Sequence, residues 1–116
     1  MRTIGLLWEQ RAEQFLASKG LSLVARNYTA RCGEIDLIMC ERDVLVFVEV
    51  RYRTHHRFSS AINSIQRCKQ AKLKKCAALF LQHHSAWSEK PCRFDVIAYD
   101  STGSREHPLW IRAAFD

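Results

Sequence analysis

Hydrophobic positions along the chain recur with two periods, and the alternation between them lays out the elements. Ile4, Trp8, Ala12, Phe15 and Leu16 repeat at helical spacing, predicting a first helix over Ile4–Lys19 with Gly20 as its C-terminal cap. Leu21, Leu23 and Ala25 then alternate, predicting a strand over Leu21–Tyr28. A polar connection, Thr29–Cys32, ends at Gly33. Gly33–Met39 and Val44–Arg53 are largely apolar runs joined by Cys40-Glu41-Arg42-Asp43, which reads as two strands and a hairpin turn. Thr54–Ser60 is a basic loop. A long helix is expected from a cap at Ser60 or Ser64 to about His84. Its inward face would carry Ile62, Ile65, Cys68 or Lys69, Leu73, Cys76, Ala77 and Phe80. Ser85–Pro91 is a loop, Arg93–Tyr99 alternates as a further strand, and Leu109–Phe115 closes the chain as a short last strand. The order helix, three strands, helix, strand and final strand predicts an α/β fold with a mixed sheet flanked by helices. At 116 residues the chain is expected to form one domain.

Charges interrupt the two central strands. Asp36 sits inside Gly33–Met39, and Glu49 and Arg51 sit inside Val44–Arg53. A charge in an apolar strand is costly unless it is paired or binds a metal. Glu49 and Arg51 project to one face because side chains alternate across a strand. If Asp36 lies opposite Phe47 or Glu49, both carboxylates share that face, and a slip of one residue separates them. Facing carboxylates repel, and Mg²⁺ or Mn²⁺ between them would relieve that repulsion while binding phosphate oxygens and water. The competing reading is a structural Asp36–Arg51 ion pair with Glu49 reaching solvent at a strand end. Glu9 and Glu13, four apart on the first helix, read by themselves as solvated residues.

Charge distribution favours phosphate chemistry. The net charge is +6, and no Asp or Glu occurs from Val50 to Ser88. That acid-free stretch holds Arg51, Arg53, Arg57, Arg67, Lys69, Lys72, Lys74 and Lys75, a one-signed field suited to a nucleic-acid backbone. Arg53, Arg57, Arg67, Lys72, Lys74 and Lys75 are the expected DNA contacts. The His55-His56-Arg57-Phe58 segment reads equally as a substrate flap and as a plain polar loop. Five cysteines, none in a Cys-x-x-Cys pair, argue against a disulfide framework and for a reducing cytoplasm. Their spacing to His55, His56, His83 or His84 offers no zinc motif. There is no apolar signal core and no run long enough to span a bilayer, so no membrane association is expected. Nothing reads as a nucleotide-cradling glycine loop or a Ser-His-Asp or Cys-His arrangement. Trp8, Trp87 and Trp110 are expected to pack rather than stack on bases.

Asp36, a gap of twelve residues, then Glu49-Val50-Arg51 resembles the nuclease superfamily signature of Asp, a variable gap, Asp or Glu, any residue and Lys. More widely, Gly5 and Glu9, Arg26-Asn27-Tyr28, residues 33–38, 46–51 and 93–97, and Trp110-Ile111 resemble the YraN-like family of uncharacterised bacterial proteins. Those proteins are regarded as endonucleases similar to Holliday-junction resolvases. The resemblance implies a restriction-endonuclease-like core and Mg²⁺- or Mn²⁺-assisted hydrolysis of DNA, double-stranded or branched. It implies catalytic roles for Asp36, Glu49, Arg51 and Glu9, with Asp36 and Glu49 as metal ligands and Glu9 near the metal. Because resolvases cut two strands symmetrically, it also implies a homodimer. Gln66, Gln70 or Lys72 would orient substrate. Asp95 is expected to have a structural partner such as an arginine. The departure is Arg51 where the superfamily most often has Lys: an arginine holds a phosphate but cannot act as a base. The alternative is a non-catalytic nucleic-acid-binding or recruitment module that keeps the fold, or a chain acting through a protein partner at its Trp110 end.

Overall fold

Five strands form one mixed sheet in the order β1-β2-β3-β4-β5, in a computed structural model that describes residues 3–53, 67–100 and 108–116. Helix α1 (Thr3–Ser18) leads into β1 (Ser22–Ala30), β2 (Gly33–Glu41) and β3 (Val44–Arg53). Helix α2 (Arg67–His83) and a 3₁₀ turn (Ser85–Trp87) precede β4 (Cys92–Asp100) and β5 (Leu109–Phe115). The first three strands form an antiparallel meander, β4 joins β3 in parallel, and β5 returns antiparallel to β4. This is the α/β order that the hydrophobic periods predict.

Each helix covers one face. Ala12 and Leu16 of α1 pack on Leu37, Met39, Val46, Val48, Ile97 and Tyr99. On the other face Leu73, Cys76, Ala77 and Phe80 of α2 pack on Ile38, Leu45, Phe47, Phe94 and Val96. The near-continuous apolar character of β3 follows, because both of its faces are covered. Helix α1 ends as its glycine predicts. Gly20 has φ +99°, its N–H donates to Ala17 O, and the Leu21 N–H donates to Leu16 O at 3.1 Å. That pair of bonds is a Schellman cap, and Leu21 and Leu16 meet in the same core cluster beneath it.

Several boundaries shift. The expected four-residue hairpin turn shortens to Arg42-Asp43, with the strands running through Glu41 and from Val44. Arg42 takes the positive φ of +57° that so tight a reversal needs. Strand β1 continues to Ala30, so the connection to β2 is only Arg31-Cys32. Cys68 is exposed and Lys69 half-buried, and the inward face of α2 begins at Leu73. The expected cap at Ser60 or Ser64, together with Ile62, Ile65 and the loop carrying His55, His56 and Arg57, lies outside the described residues.

One irregularity positions the chemistry. Ile35 and Ile38 both belong to the α2-side core, whereas Leu37 faces α1. Strict alternation would place Ile35 with Leu37, so β2 changes face at Asp36. Strand β1 does the same: Ala25 and Tyr28, three apart, both pack toward α2. Between them Asn27 has φ +48°. Since Tyr28 pairs with Ile35 and Arg26 with Leu37, the two irregular residues lie across from each other. A paired kink of this sort re-aims side chains out of the regular pleat.

Candidate active site

Asp36 is the centre of the site because the kink takes it out of the ladder. Strand β2 pairs with β3 from Glu41↔Val44 to Leu37↔Val48, which leaves Asp36 next in line with Glu49. At that point the Asp36 side chain stands in for the backbone: its Oδ2 accepts the Val50 N–H at 2.9 Å. Its carboxyl is pushed up to about 8. Burial is the largest cause, followed by the neighbouring Glu49 charge, with the Val50 N–H opposing and Glu9 adding to the rise through its charge and a hydrogen bond. Three carboxyl groups from α1, β2 and β3 thus converge, and Asp36 feels both of the others.

Glu49 is only 5 % exposed. The reading in which it reaches solvent from a strand end is therefore corrected, because the two covering layers close over β3. Its Oε2 lies 3.2 Å from Lys69 Nζ and 3.5 Å from Arg51 Nη1. Its Oε1 is buried without a hydrogen-bond partner among the described residues. Glu9 is 7 % exposed and its Oε1 accepts from Asn27 Nδ2 at 2.7 Å. The two first-helix glutamates, alike by periodicity, have different fates: Glu13 turns to Arg26 at 2.7 Å, while Glu9 is drawn under the kink. Solvation, the reading from periodicity alone, is corrected for Glu9.

Asp36 and Glu49 fit a divalent cation in two respects. A Glu49 carboxylate oxygen that is buried and has no hydrogen-bond partner among the described residues can serve as a cation ligand. Burial first and the neighbouring Glu49 charge second keep Asp36 protonated, and a bound cation would offset both. Among the described residues no group of three or more His, Cys, Asp or Glu is arranged as a ready ligand set. The ion the pair suits is thus one that completes its shell with water and phosphate oxygens, as Mg²⁺ does.

The remaining expected residues divide. Arg51 is at the site. Arg53 ends β3. Arg67, Lys72, Lys74 and Lys75 are exposed on α2, and Arg57 and Gln66 lie outside the described residues. Gln70 is half-buried. Asp95 is fully buried and structural, with Arg93 Nε at 3.0 Å from Oδ1, Trp110 Nε1 at 2.9 Å from Oδ2 and the Ala113 N–H at 2.9 Å from Oδ1. Trp110 therefore packs, as does Trp8, whose ring centroid is 4.7 Å from those of both Tyr52 and Tyr99. Periodicity missed two residues. Asn27 has no role in its motif by periodicity, and the signal that could find it is an Asn, disfavoured in strands and tolerant of positive φ, inside a strand segment. Lys69 is expected as a possible inward position and as one cation of the acid-free stretch, and nothing in its spacing links it to Glu49.

With that geometry in place, comparison with known proteins adds a family. Residues 8–99 match the uncharacterised protein family UPF0102. The chain belongs to UPF0102. The chain is similar to a UPF0102 protein of Stutzerimonas stutzeri (strain A1501), 48 % identical over 108 residues, covering 93 % of this chain and 90 % of the relative. A UPF0102 protein of Pseudomonas syringae pv. syringae (strain B728a) is 49 % identical over 109 residues, covering 93 % and 89 %. The UPF0102 match spans the whole carboxyl cluster and both kinked strands. No helix of the described residues is long and apolar enough to cross a membrane.

Proposed function

We propose that this protein is a metal-dependent endonuclease acting on DNA. The observation that carries the reading is the convergence of Glu9, Asp36 and Glu49 at a strand kink, with one Glu49 oxygen buried and without a hydrogen-bond partner among the described residues. Asp36 and Glu49 would hold Mg²⁺ or Mn²⁺, which supplies Lewis-acid polarisation of the phosphodiester and an activated water. Glu9, held by Asn27, would orient water on the α1 side. Arg51 would hold the scissile phosphate and offset the charge that grows on its oxygens. Branched or otherwise structured DNA is the favoured substrate on the likeness to resolvases, and symmetric cutting would require a homodimer.

A second reading has its own support. Glu49 already has two cations beside it, Lys69 and Arg51, a self-neutralised arrangement that a non-catalytic nucleic-acid-binding module would tolerate. One experiment separates the two. Linear, single-stranded, flap and four-way-junction DNA are incubated with Mg²⁺ or Mn²⁺ and the wild-type, Asp36→Ala and Glu49→Ala proteins. Cleavage by the wild type that falls about 100-fold or more in either variant supports the nuclease, since losing a ligated metal removes several kcal/mol of transition-state stabilisation. Salt-sensitive binding without cleavage supports the module.

A further inference from the structure

A cleft opens beside the carboxyl site, between the β1–β2 turn and α2. It is lined by Arg31, Cys32, Gly33 and Glu34 on one side and Lys69, Lys72 and Leu73 on the other. Three cations face one acid, Glu34. Lys69 and Lys72 are one helical turn apart, so they share a side of α2. Lys69 belongs to both places at once, with its ammonium on Glu49 Oε2 and its stem in the cleft wall. Arg31 and Lys72 are exposed, and among the described residues neither takes part in an ion pair.

A glycine held at positive φ stands at the floor of the cleft. Gly33 has φ +146°, a backbone conformation that disfavours any side chain, and a Cβ there would meet Cys76 Sγ at 3.7 Å and Lys72 Cβ at 4.0 Å. The turn therefore lies against α2 without a side chain to fill the opening. Such a concave surface, polar at the rim and net positive, suits a compact anion with several acceptor oxygens.

We infer that this cleft is a phosphodiester subsite: it seats a phosphate of the DNA strand beside the carboxyl site, with Arg31 and Lys72 as its contacts and Lys69 lying between the cleft and Glu49. The inference rests on the reading of the chain as DNA-binding, and not on its being catalytic. Lys72 thereby gains a defined partner in Arg31, a residue that stands outside the acid-free stretch of the sequence and on a different element.

The test is binding of a fluorescein-labelled DNA duplex and a four-way junction in Ca²⁺, across a series of salt concentrations. Arg31→Ala and Lys72→Ala should each weaken binding about 3- to 10-fold and each lower the slope of log affinity against log salt by about 0.9. Lys72→Arg should restore both, and Glu34→Gln should tighten binding. Lys19→Ala, a change of the same charge at the far end of α1, should leave the slope unaltered. Wild-type affinity and slope in Arg31→Ala and Lys72→Ala would overturn the subsite, and so would an equal loss in Lys19→Ala, which would signify a diffuse field. If these binding effects appear while no DNA is cut in Mg²⁺ or Mn²⁺, the subsite stands and the endonuclease reading fails. If DNA is cut but the two variants bind normally, the reverse holds.

Discussion

Asp36 concentrates the chemistry of the molecule in one ionisable group. Its folded carboxyl titrates near 8 against 3.8 for a free side chain. Below about pH 4 it is protonated whether the chain is folded or not. Between there and about 8 the folded chain keeps a proton that the unfolded chain has lost, so stability declines as pH climbs through that interval. Asp36→Asn keeps an acceptor for the Val50 N–H and removes the cost of taking up a proton on folding. It should raise stability at pH 7 by about 2 kcal/mol, an advantage that fades toward pH 4, as urea titrations at the two pH values would reveal. A flat difference across pH would place the perturbed titration elsewhere. On the proposed function the same proton would govern metal binding: Mg²⁺ would have to displace it, so affinity should rise with pH up to about 8 and level beyond. Calorimetry in buffers of unlike ionisation heat reads that proton release directly. Asp95 is the opposite case, a buried carboxylate fully engaged by Arg93, Trp110 and the Ala113 N–H. Asp95→Ala should cost about 3 kcal/mol, because it leaves the partners of a buried charge unmatched, and should leave the carboxyl site intact.

At the scale of elements, the paired kink in β1 and β2 separates backbone from side-chain effects. Asn27 occupies φ +48°, where Asn and Gly are favoured over other residues. Asn27→Gly keeps the backbone shape and loses the bond to Glu9, whereas Asn27→Ala loses both. We expect Asn27→Ala to lower stability by about 1 kcal/mol more than Asn27→Gly, with cleavage or metal affinity reduced alike in both. Equal stabilities would mean that the strand does not need its left-handed residue. Helix α2 is fastened by Phe80, which is 1 % exposed and meets Tyr28, Phe47 and His84 ring to ring. Phe80→Ala should cost about 3–5 kcal/mol in chemical denaturation. It should also loosen the helix that carries Lys69 and Lys72.

For the whole molecule, the three-layer arrangement divides labour between its faces. Helix α1 brings the third carboxyl, α2 brings the cations, and the sheet between them holds Asp36 and Glu49 at the end of the β2–β3 pairing. The opposite end of that hairpin is closed by Glu41, which holds both Arg93 and Arg112 at 2.9 and 2.8 Å and has its own carboxyl drawn below the usual range by them. Glu41 thus gathers two cations at one end of the hairpin, and Glu49 lies beside Lys69 and Arg51 at the other. Sedimentation equilibrium with and without junction DNA would test the expected dimer: a monomer under both conditions removes the symmetric-cutting proposal while leaving the carboxyl site untouched.

The elements, their order and both core faces were legible in the sequence, because apolar period is a local property and the chain has nowhere else to bury those residues. Asp36, Glu49 and Arg51 were legible for the same reason, as charges inside apolar runs. Only the tertiary structure decided which carboxyls meet. The register beyond Leu37↔Val48 puts Asp36 in line with Glu49, one of the two pairings that alternation allows. The face change at Asn27 and Asp36 breaks the two-residue period, however, so alternation alone could not choose between them. The approach of Glu9 and Lys69 depends on where two helices dock, and docking is set by packing of side chains far apart in the chain. Sequence fixes what each segment buries; how the buried segments lean together fixes which charges become neighbours.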